Sequence, residues 1–230
     1  MPAVEIISAS TCPYAQRTRL ALAEKGIAHT VTEVDLENKP DWFRAVSPYG
    51  KVPVLRHGET VIWESSVINE YLEEEFPEPP LLPRAPAARA QARIWIDYAN
   101  VRFAPFVYKL LLAQSPADRA ERARLLRESL LFIEREALAK RKEGPWFLGR
   151  RLSLVDLTFF PHFERLPAVA HYRGFEIPEE CANIRAWLAA MLERPSVAAL
   201  HQPDFVYIRN WRKYADDSGT GVTAEEMRRF

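Results

Sequence analysis

Val4-Glu5-Ile6-Ile7-Ser8-Ala9-Ser10-Thr11-Cys12-Pro13-Tyr14-Ala15-Gln16-Arg17 passes from strand to helix within a few residues. Val4 to Ser8 has the make-up of a short buried strand. After Pro13, Leu20, Ala21 and Leu22 supply an apolar face, with Arg17, Arg19, Glu24 and Lys25 as the polar complement. Proline suits a first helical turn, where its missing N–H would be unpaired anyway. Cys12 is therefore expected at the helix N-terminus, with free N–H groups and the positive dipole end directed at its sulfur. Such a position favours thiolate over thiol. A fall in pKa from about 8.5 to about 6 would make the thiol roughly 90% ionised near pH 7. The competing reading is a small buried apolar side chain at a strand–helix junction.

A dithiol motif would place a second cysteine three residues on, where this chain has Ala15. The other cysteine, Cys181, lies in a separate apolar segment. A lone thiolate forms a mixed disulfide but needs an external thiol to release it, and glutathione is the small thiol of that kind.

The break between two domains is legible in Phe76-Pro77-Glu78-Pro79-Pro80-Leu81-Leu82-Pro83-Arg84, too proline-rich for a helix or a central strand. Before it, strands near 3–8, 29–34, 52–55 and 60–63 alternate with helices near 13–25 and 65–76. After it the patterns are helical. Residues 85–113 read as one long helix that Pro105 should kink, and 116–140 as another. In Leu152-Ser153-Leu154-Val155-Asp156-Leu157, Ser153 can cap a helix and Asp156 can reach back to it. The boundaries are a first domain over 1–78, a linker at 79–85 and a helical domain over 86–230.

Four segments together resemble the cytosolic glutathione transferases of the cysteine type, especially the omega and lambda classes. They are Cys12-Pro13-Tyr14-Ala15-Gln16-Arg17, Asp35 to Phe43, Ser47-Pro48-Tyr49-Gly50-Lys51-Val52-Pro53-Val54-Leu55, and Glu64 to Leu72. The resemblance implies an α/β thioredoxin-like N-terminal domain followed by an all-α C-terminal domain. It also implies glutathione as cosubstrate and Cys12 as catalytic residue. Lys39 would meet the glycyl carboxylate. Val52, before a cis Pro53, would pair its backbone with the cysteinyl amide, as an added strand would. Glu64 would meet the glutamyl ammonium. Ser65, with free helix N–H groups, would meet the glutamyl carboxylate; Ser65 or Ser66 is the expected N-cap of that helix.

An acceptor pocket is expected over Cys12 from Tyr14, Tyr98, Arg102 and Trp211. The other aromatic residues near Tyr98 have helical spacing and belong to the core. Omega-like relatives fold a C-terminal extension over the cleft, which would bring Trp211 or Tyr214 near Cys12. The simpler and favoured reading has these aromatic residues packing on the helical domain.

The expected reaction is glutathione-dependent thiol transfer and reduction through a Cys12–glutathione mixed disulfide, on a disulfide, dehydroascorbate or a glutathionylated electrophile. Ser8, Ser10 and Thr11 leave room for weak conjugation. Two alternatives stand beside it. One is a glutathione lyase or reductive dehalogenase acting on aromatic thioethers. The other is a non-catalytic relative that binds a protein such as RNA polymerase; retention of Cys12, Lys39 and Glu64-Ser65 argues against it.

The 230 residues carry 31 basic and 31 acidic side chains, so nothing draws the chain as a whole to nucleic acid or to an anionic membrane. Two cysteines cannot build a disulfide framework, and a cytoplasmic location is expected. Five scattered histidines show no metal-ligand spacing, and no metal is expected. Tyr49 falls where some classes insert an aromatic key into a partner subunit, while lambda-type relatives are monomers; a homodimer is the favoured reading.

Overall fold

The computed structural model describes residues 2–220, 225, 228 and 229. The first half holds a four-stranded sheet in the order β2-β1-β3-β4. Its strands are β1 (Val4–Ser8), β2 (His29–Glu33), β3 (Val54–His57) and β4 (Thr60–Trp63). β1 runs parallel to β2 and antiparallel to β3. It is buried because Val4, Ile6 and Ile7 all lie in the core. β3 and β4 form a hairpin whose turn carries Gly58 at φ +60°, a backbone region open to glycine without a Cβ penalty. β3 starts two residues later than the sequence suggests. Val52 and Pro53, joined by a cis bond, stay outside the ladder, since Pro53 has no N–H to contribute.

Helices α1 (Pro13–Glu24), α2 (Phe43–Val46) and α3 (Ser65–Glu75) complete this half. α1 is buried on more than its apolar face. Arg17 and Gln16 are enclosed as well, because α1 is pressed between the sheet and the helical half. Lys25, just past its end, is also buried. Its ammonium lies 2.8 Å from Glu73 and donates to the carbonyls of Phe76 and Pro79. Glu73 in turn accepts the N–H groups of Leu81 and Leu82. The proline-rich segment is thereby fastened down, and Leu81 and Leu82 enter the core.

The helical half comprises α4 (Pro86–Tyr98), α5 (Ala104–Leu112), α6 (Pro116–Ile133), α7 (Leu154–Phe163), α8 (Leu166–Arg173), α9 (Ala182–Leu192), α10 (Pro195–Ala198) and α11 (Asp204–Ala215). Between α4 and α5 the chain stays helical through a π-type stretch, Ala99–Phe103, closed by Ala104 N–H bonding to the carbonyl of Ala99. Pro105 falls in the first turn of α5, and the wider stretch before it absorbs the irregularity. α6 ends in a second π-type stretch, Glu134–Leu138.

α7 is buried along its whole length. The Asp156 carboxylate at its start accepts from the Ser153 N–H (2.9 Å) and hydroxyl (2.8 Å), the Phe147 N–H (2.9 Å) and Trp187 Nε1 (2.9 Å). The reciprocal cap read from the sequence is present. Phe103, Phe147, Phe159, Phe163 and Trp187 pack ring to ring around α7.

Candidate active site

Cys12 holds the N-cap position of α1 with extended backbone (φ −82°, ψ 120°), and its N–H bonds to the carbonyl of Ala9. Its side chain is half-buried against Ile7, Ala15, Phe43 and Val52. Its Sγ lies 3.8 Å from the carbonyl of Val52. The expected fall in pKa is not what the structure gives: the Cys12 thiol is raised above its ordinary value. Burial pushes it up. The N–H groups of Ala15 and Tyr14 and the charges of Arg165 and Arg17 pull it down by less. The helix start does favour the thiolate, but the apolar surroundings outweigh it.

Two cavities meet at Cys12. One, of about 850 Å³, is walled by Lys39, Val52, Pro53, Glu64, Ser65 and Asn100 among others. The second, of about 660 Å³, is walled by Ser10, Thr11, Asp35, Tyr108, Arg209 and Trp211 among others. Cys12, Tyr14, Leu36, Glu37, Lys213 and Tyr214 line both.

In the first cavity, burial and the nearby Arg44 charge hold the Lys39 ammonium below the usual lysine range. Glu64 precedes α3 at φ +71°, an uncommon state for a side chain with a Cβ, costing on the order of 1–3 kcal/mol. Neither Ser65 nor Ser66 caps α3, since Glu64 holds the N-cap position. The Ser66 hydroxyl instead accepts from Asn100 (3.1 Å) and Arg17 (3.4 Å).

In the second cavity Tyr14 and Trp211 are both present, but Tyr98 and Arg102 line neither cavity. The Tyr98 ring stacks on Phe132 at 5.0 Å and its hydroxyl meets Ser129 at 3.0 Å, on the α6 side. Arg102 is exposed to solvent. Asn100, in the π-type stretch that follows α4, lines the first cavity instead. Tyr108 lines the second, its ring centroid 5.1 Å from that of Trp211 at a 34° tilt. Burial keeps both Tyr108 and Tyr214 above the ordinary phenol range. Ser8 is fully buried and closed to ligands.

Residues 11–75 match the family of the glutathione S-transferase N-terminal domain, and residues 116–190 that of the C-terminal domain. Glutathione S-transferase omega-1 of Sus scrofa is 34% identical over 86% of this chain and 80% of its own length.

The chain belongs to the glutathione transferase family.

A second relative, the probable glutathione S-transferase DHAR1, cytosolic, of Oryza sativa subsp. japonica, is 33% identical over 80% of this chain and 81% of its own. Among solved structures, glutathione transferase Omega 3C from Trametes versicolor superposes with a TM-score of 0.83 at 30% identity, covering 95% of this chain and 92% of that one. The mixed sheet followed by a helical half is thus the glutathione transferase fold.

Three residues of this glutathione transferase escaped the sequence reading. Tyr108 was hidden in a run of core aromatic residues. Asn100 was hidden by the irregular helix. Arg165 follows Glu164 in a way that suggests two solvated charges, yet it is wholly buried. Among the described residues no group of three or more His, Cys, Asp or Glu is placed to hold a metal, and no helix is long and apolar enough to cross a membrane.

Proposed function

We propose that this glutathione transferase carries out glutathione-dependent thiol transfer and reduction through a Cys12–glutathione mixed disulfide. The observation that carries this reading is the single thiol on the wall shared by two cavities, with the other cysteine, Cys181, 0% exposed and outside both linings. Burial and the Glu134 carboxylate push Cys181 up to about 11, so it stays an inert thiol at neutral pH. The names of the relatives agree, omega-class transferases among them, as does a structural neighbour, the Chlamydomonas reinhardtii dehydroascorbate reductase.

Glutathione occupies the first cavity. Its glycyl carboxylate meets Lys39, its cysteinyl amide pairs with the backbone of Val52 beside Pro53, and its glutamyl end meets Glu64 and the start of α3 at Ser65. The acceptor enters the second cavity between Tyr14, Tyr108 and Trp211. The Cys12 thiolate attacks the glutathionyl sulfur of a mixed disulfide, and the acceptor thiolate leaves and takes a proton. A second glutathione thiolate then attacks the same glutathionyl sulfur. Oxidised glutathione departs, and the Cys12 thiolate is restored. The net exchange consumes one glutathione and one mixed disulfide and yields one thiol and one oxidised glutathione.

Cys12→Ala and Cys12→Ser test the reading. Each should abolish reduction of a glutathione mixed disulfide, since an alcohol stays protonated at neutral pH. Conjugation to a chlorinated nitroaromatic should survive, because glutathione itself is then the nucleophile. Full reductase activity in either variant would refute it.

A homodimer in a reducing, cytoplasmic setting completes the proposal. Val61, Trp63 and Val67 on β4 and α3, and Ile94 and Val101 on or after α4, are exposed apolar side chains. Arg93 and Glu70 join α3 to α4 on the same side. Val67→Glu should lower the sedimenting mass to that of one chain; a wild-type chain that sediments as a monomer contradicts the dimer.

A further inference from the structure

Behind Cys12 lies a buried polar cluster that the exchange chemistry above does not use. It joins α1 to the end of α7. Arg165, on the turn between α7 and α8, is 0% exposed. One nitrogen donates to Gln16 Oε1 (2.7 Å) and the Pro161 carbonyl (2.6 Å), and the other to the carbonyl of Thr11 (3.0 Å). The guanidinium lies over the Tyr207 ring, 4.5 Å from its centroid. Arg17 is equally buried. It donates to Asn100 Oδ1 (2.7 Å) and His162 Nε2 (3.1 Å), both neutral.

Two guanidinium groups are enclosed. Glu164 lies beside Arg165, its Oε2 3.5 Å away and also accepting from Gln16 (2.6 Å), while its Oε1 meets His201 (2.6 Å). The Glu64 carboxylate acts on Arg17 from the first cavity. Burial and the two arginines keep His162 neutral. Enclosing cations is costly, and each nearby anion offsets part of that cost. A thiolate at Cys12 is a further anion within reach of this cluster, since the Arg165 and Arg17 charges both pull its thiol down. Of the other groups that line the cleft with Cys12, the buried Tyr108 and Tyr214 phenols stay protonated, Lys213 pairs with Glu37 at the outer wall, and Lys39, Glu64, Asp35 and Arg209 belong to the cavity walls.

We propose that Arg165 is the positioning residue for the Cys12 thiol, fixing the Thr11–Cys12 turn from the helical domain and supplying the positive charge against which the thiolate forms. The bond to the Thr11 carbonyl sets where the turn sits. The charge sets how readily the sulfur ionises. The site is therefore incomplete without the second domain, although every glutathione contact proposed above lies on the first. The proposal rests on Cys12 being the reacting thiol.

Alkylation of Cys12 by iodoacetamide, followed by peptide mass spectrometry from mildly acidic to alkaline pH, tests it. Arg165→Met should move the inflection of the rate up by about one pH unit, so that alkylation near neutral pH slows roughly tenfold. Arg165→Lys keeps the charge and loses the fork. Its inflection should stay with the wild type, while kcat for thiol transfer falls. His201→Gln disturbs the same cluster without touching the arginine charge, and should leave the inflection in place. An inflection that Arg165→Met leaves unmoved, or that His201→Gln moves as far, overturns the proposal. If Arg165→Met does not fold, Arg165→Lys decides: full turnover overturns the positioning role, and lowered turnover with an unmoved inflection supports it. A wild-type Cys12 that alkylates but never takes a glutathione adduct would sink the functional reading instead, and the alkylation series would still judge Arg165.

Discussion

The Lys213 ammonium lies 2.7 Å from the Glu37 carboxylate, joining the end of α11 to the loop after β2 directly beside Cys12. Both residues line both cavities. The C-terminal helix therefore crosses the cleft as well as packing on the helical half, where Tyr172 donates to the carbonyl of Ile208. The favoured sequence reading, packing alone, gives only half of this. The remaining stretch of the tail, residues 221–224, 226, 227 and 230, falls outside the described residues.

Trp211→Ala should therefore act in two ways. The ring is 3% exposed, so its loss costs about 3 kcal/mol or more of stability. It also removes a wall of the second cavity, so KM for the disulfide acceptor should change while the Kd for glutathione holds. Lys213→Ala should alter the same KM with a stability change below about 1 kcal/mol, because the pair is partly solvated. Denaturant unfolding and steady-state kinetics separate the two. Acceptor kinetics unchanged in both variants would return the tail to a packing role.

Glutathione affinity should respond to the first cavity. Glu64→Ala and Ser65→Ala should each weaken binding by about tenfold, as expected for one charge-assisted hydrogen bond. Lys39→Ala should cost less, since a partly exposed ammonium is screened by solvent. Calorimetry showing three unchanged affinities would place glutathione elsewhere.

Asp156 makes a sharp stability prediction. Asp156→Ala leaves the Ser153 and Phe147 N–H groups and the Trp187 indole unpaired in the core, at about 1–3 kcal/mol each. The variant should lose about 4 kcal/mol or fail to fold. Asp156→Asn keeps an acceptor and should lose about half as much. A urea midpoint that stays put in Asp156→Ala would contradict the bonding described.

His162 gives a pH dependence. Its folded pKa lies well below the unfolded value of about 6.5. Between the two, the unfolded chain binds a proton that the folded chain does not. Stability should therefore fall as pH drops below about 6.5, with a slope approaching 1.4 kcal/mol per pH unit. His162→Gln should flatten the slope. An equal slope in the variant would assign the loss to other groups.

Much of this molecule is legible in the sequence because its cues are local. The strand–Cys–Pro–helix junction, the Ser153–Asp156 cap and the proline-rich break each depend on neighbours within a few residues. Tyr98 and Arg102 do not reach the expected pocket, and Arg165 goes unnoticed in the sequence, because their surroundings depend on more distant structure. Tyr98 ends α4 and meets Phe132 and Ser129 of α6, and nothing in Asn100-Val101-Arg102 announces the π-type stretch at Ala99–Phe103. The protonation of Cys12 was misjudged for the same reason. A helix start is visible in the sequence, but the apolar wall of Ile7, Phe43 and Val52 that raises the thiol is assembled from separate segments.

That raised thiol has a consequence for reactivity. In the protein without glutathione, the alkylation rate of Cys12 should climb with pH through an inflection above the ordinary thiol value, since the thiolate is the nucleophile. An inflection below that value would show that the helix start and the arginines prevail over burial.

The central claim is that Cys12 alone carries the glutathionyl group. Peptide mass spectrometry after brief exposure to oxidised glutathione tests it most directly. The account predicts one glutathionyl adduct, on Cys12, that glutathione removes, with Cys181 untouched. A modified Cys181 beside an unmodified Cys12 would contradict it.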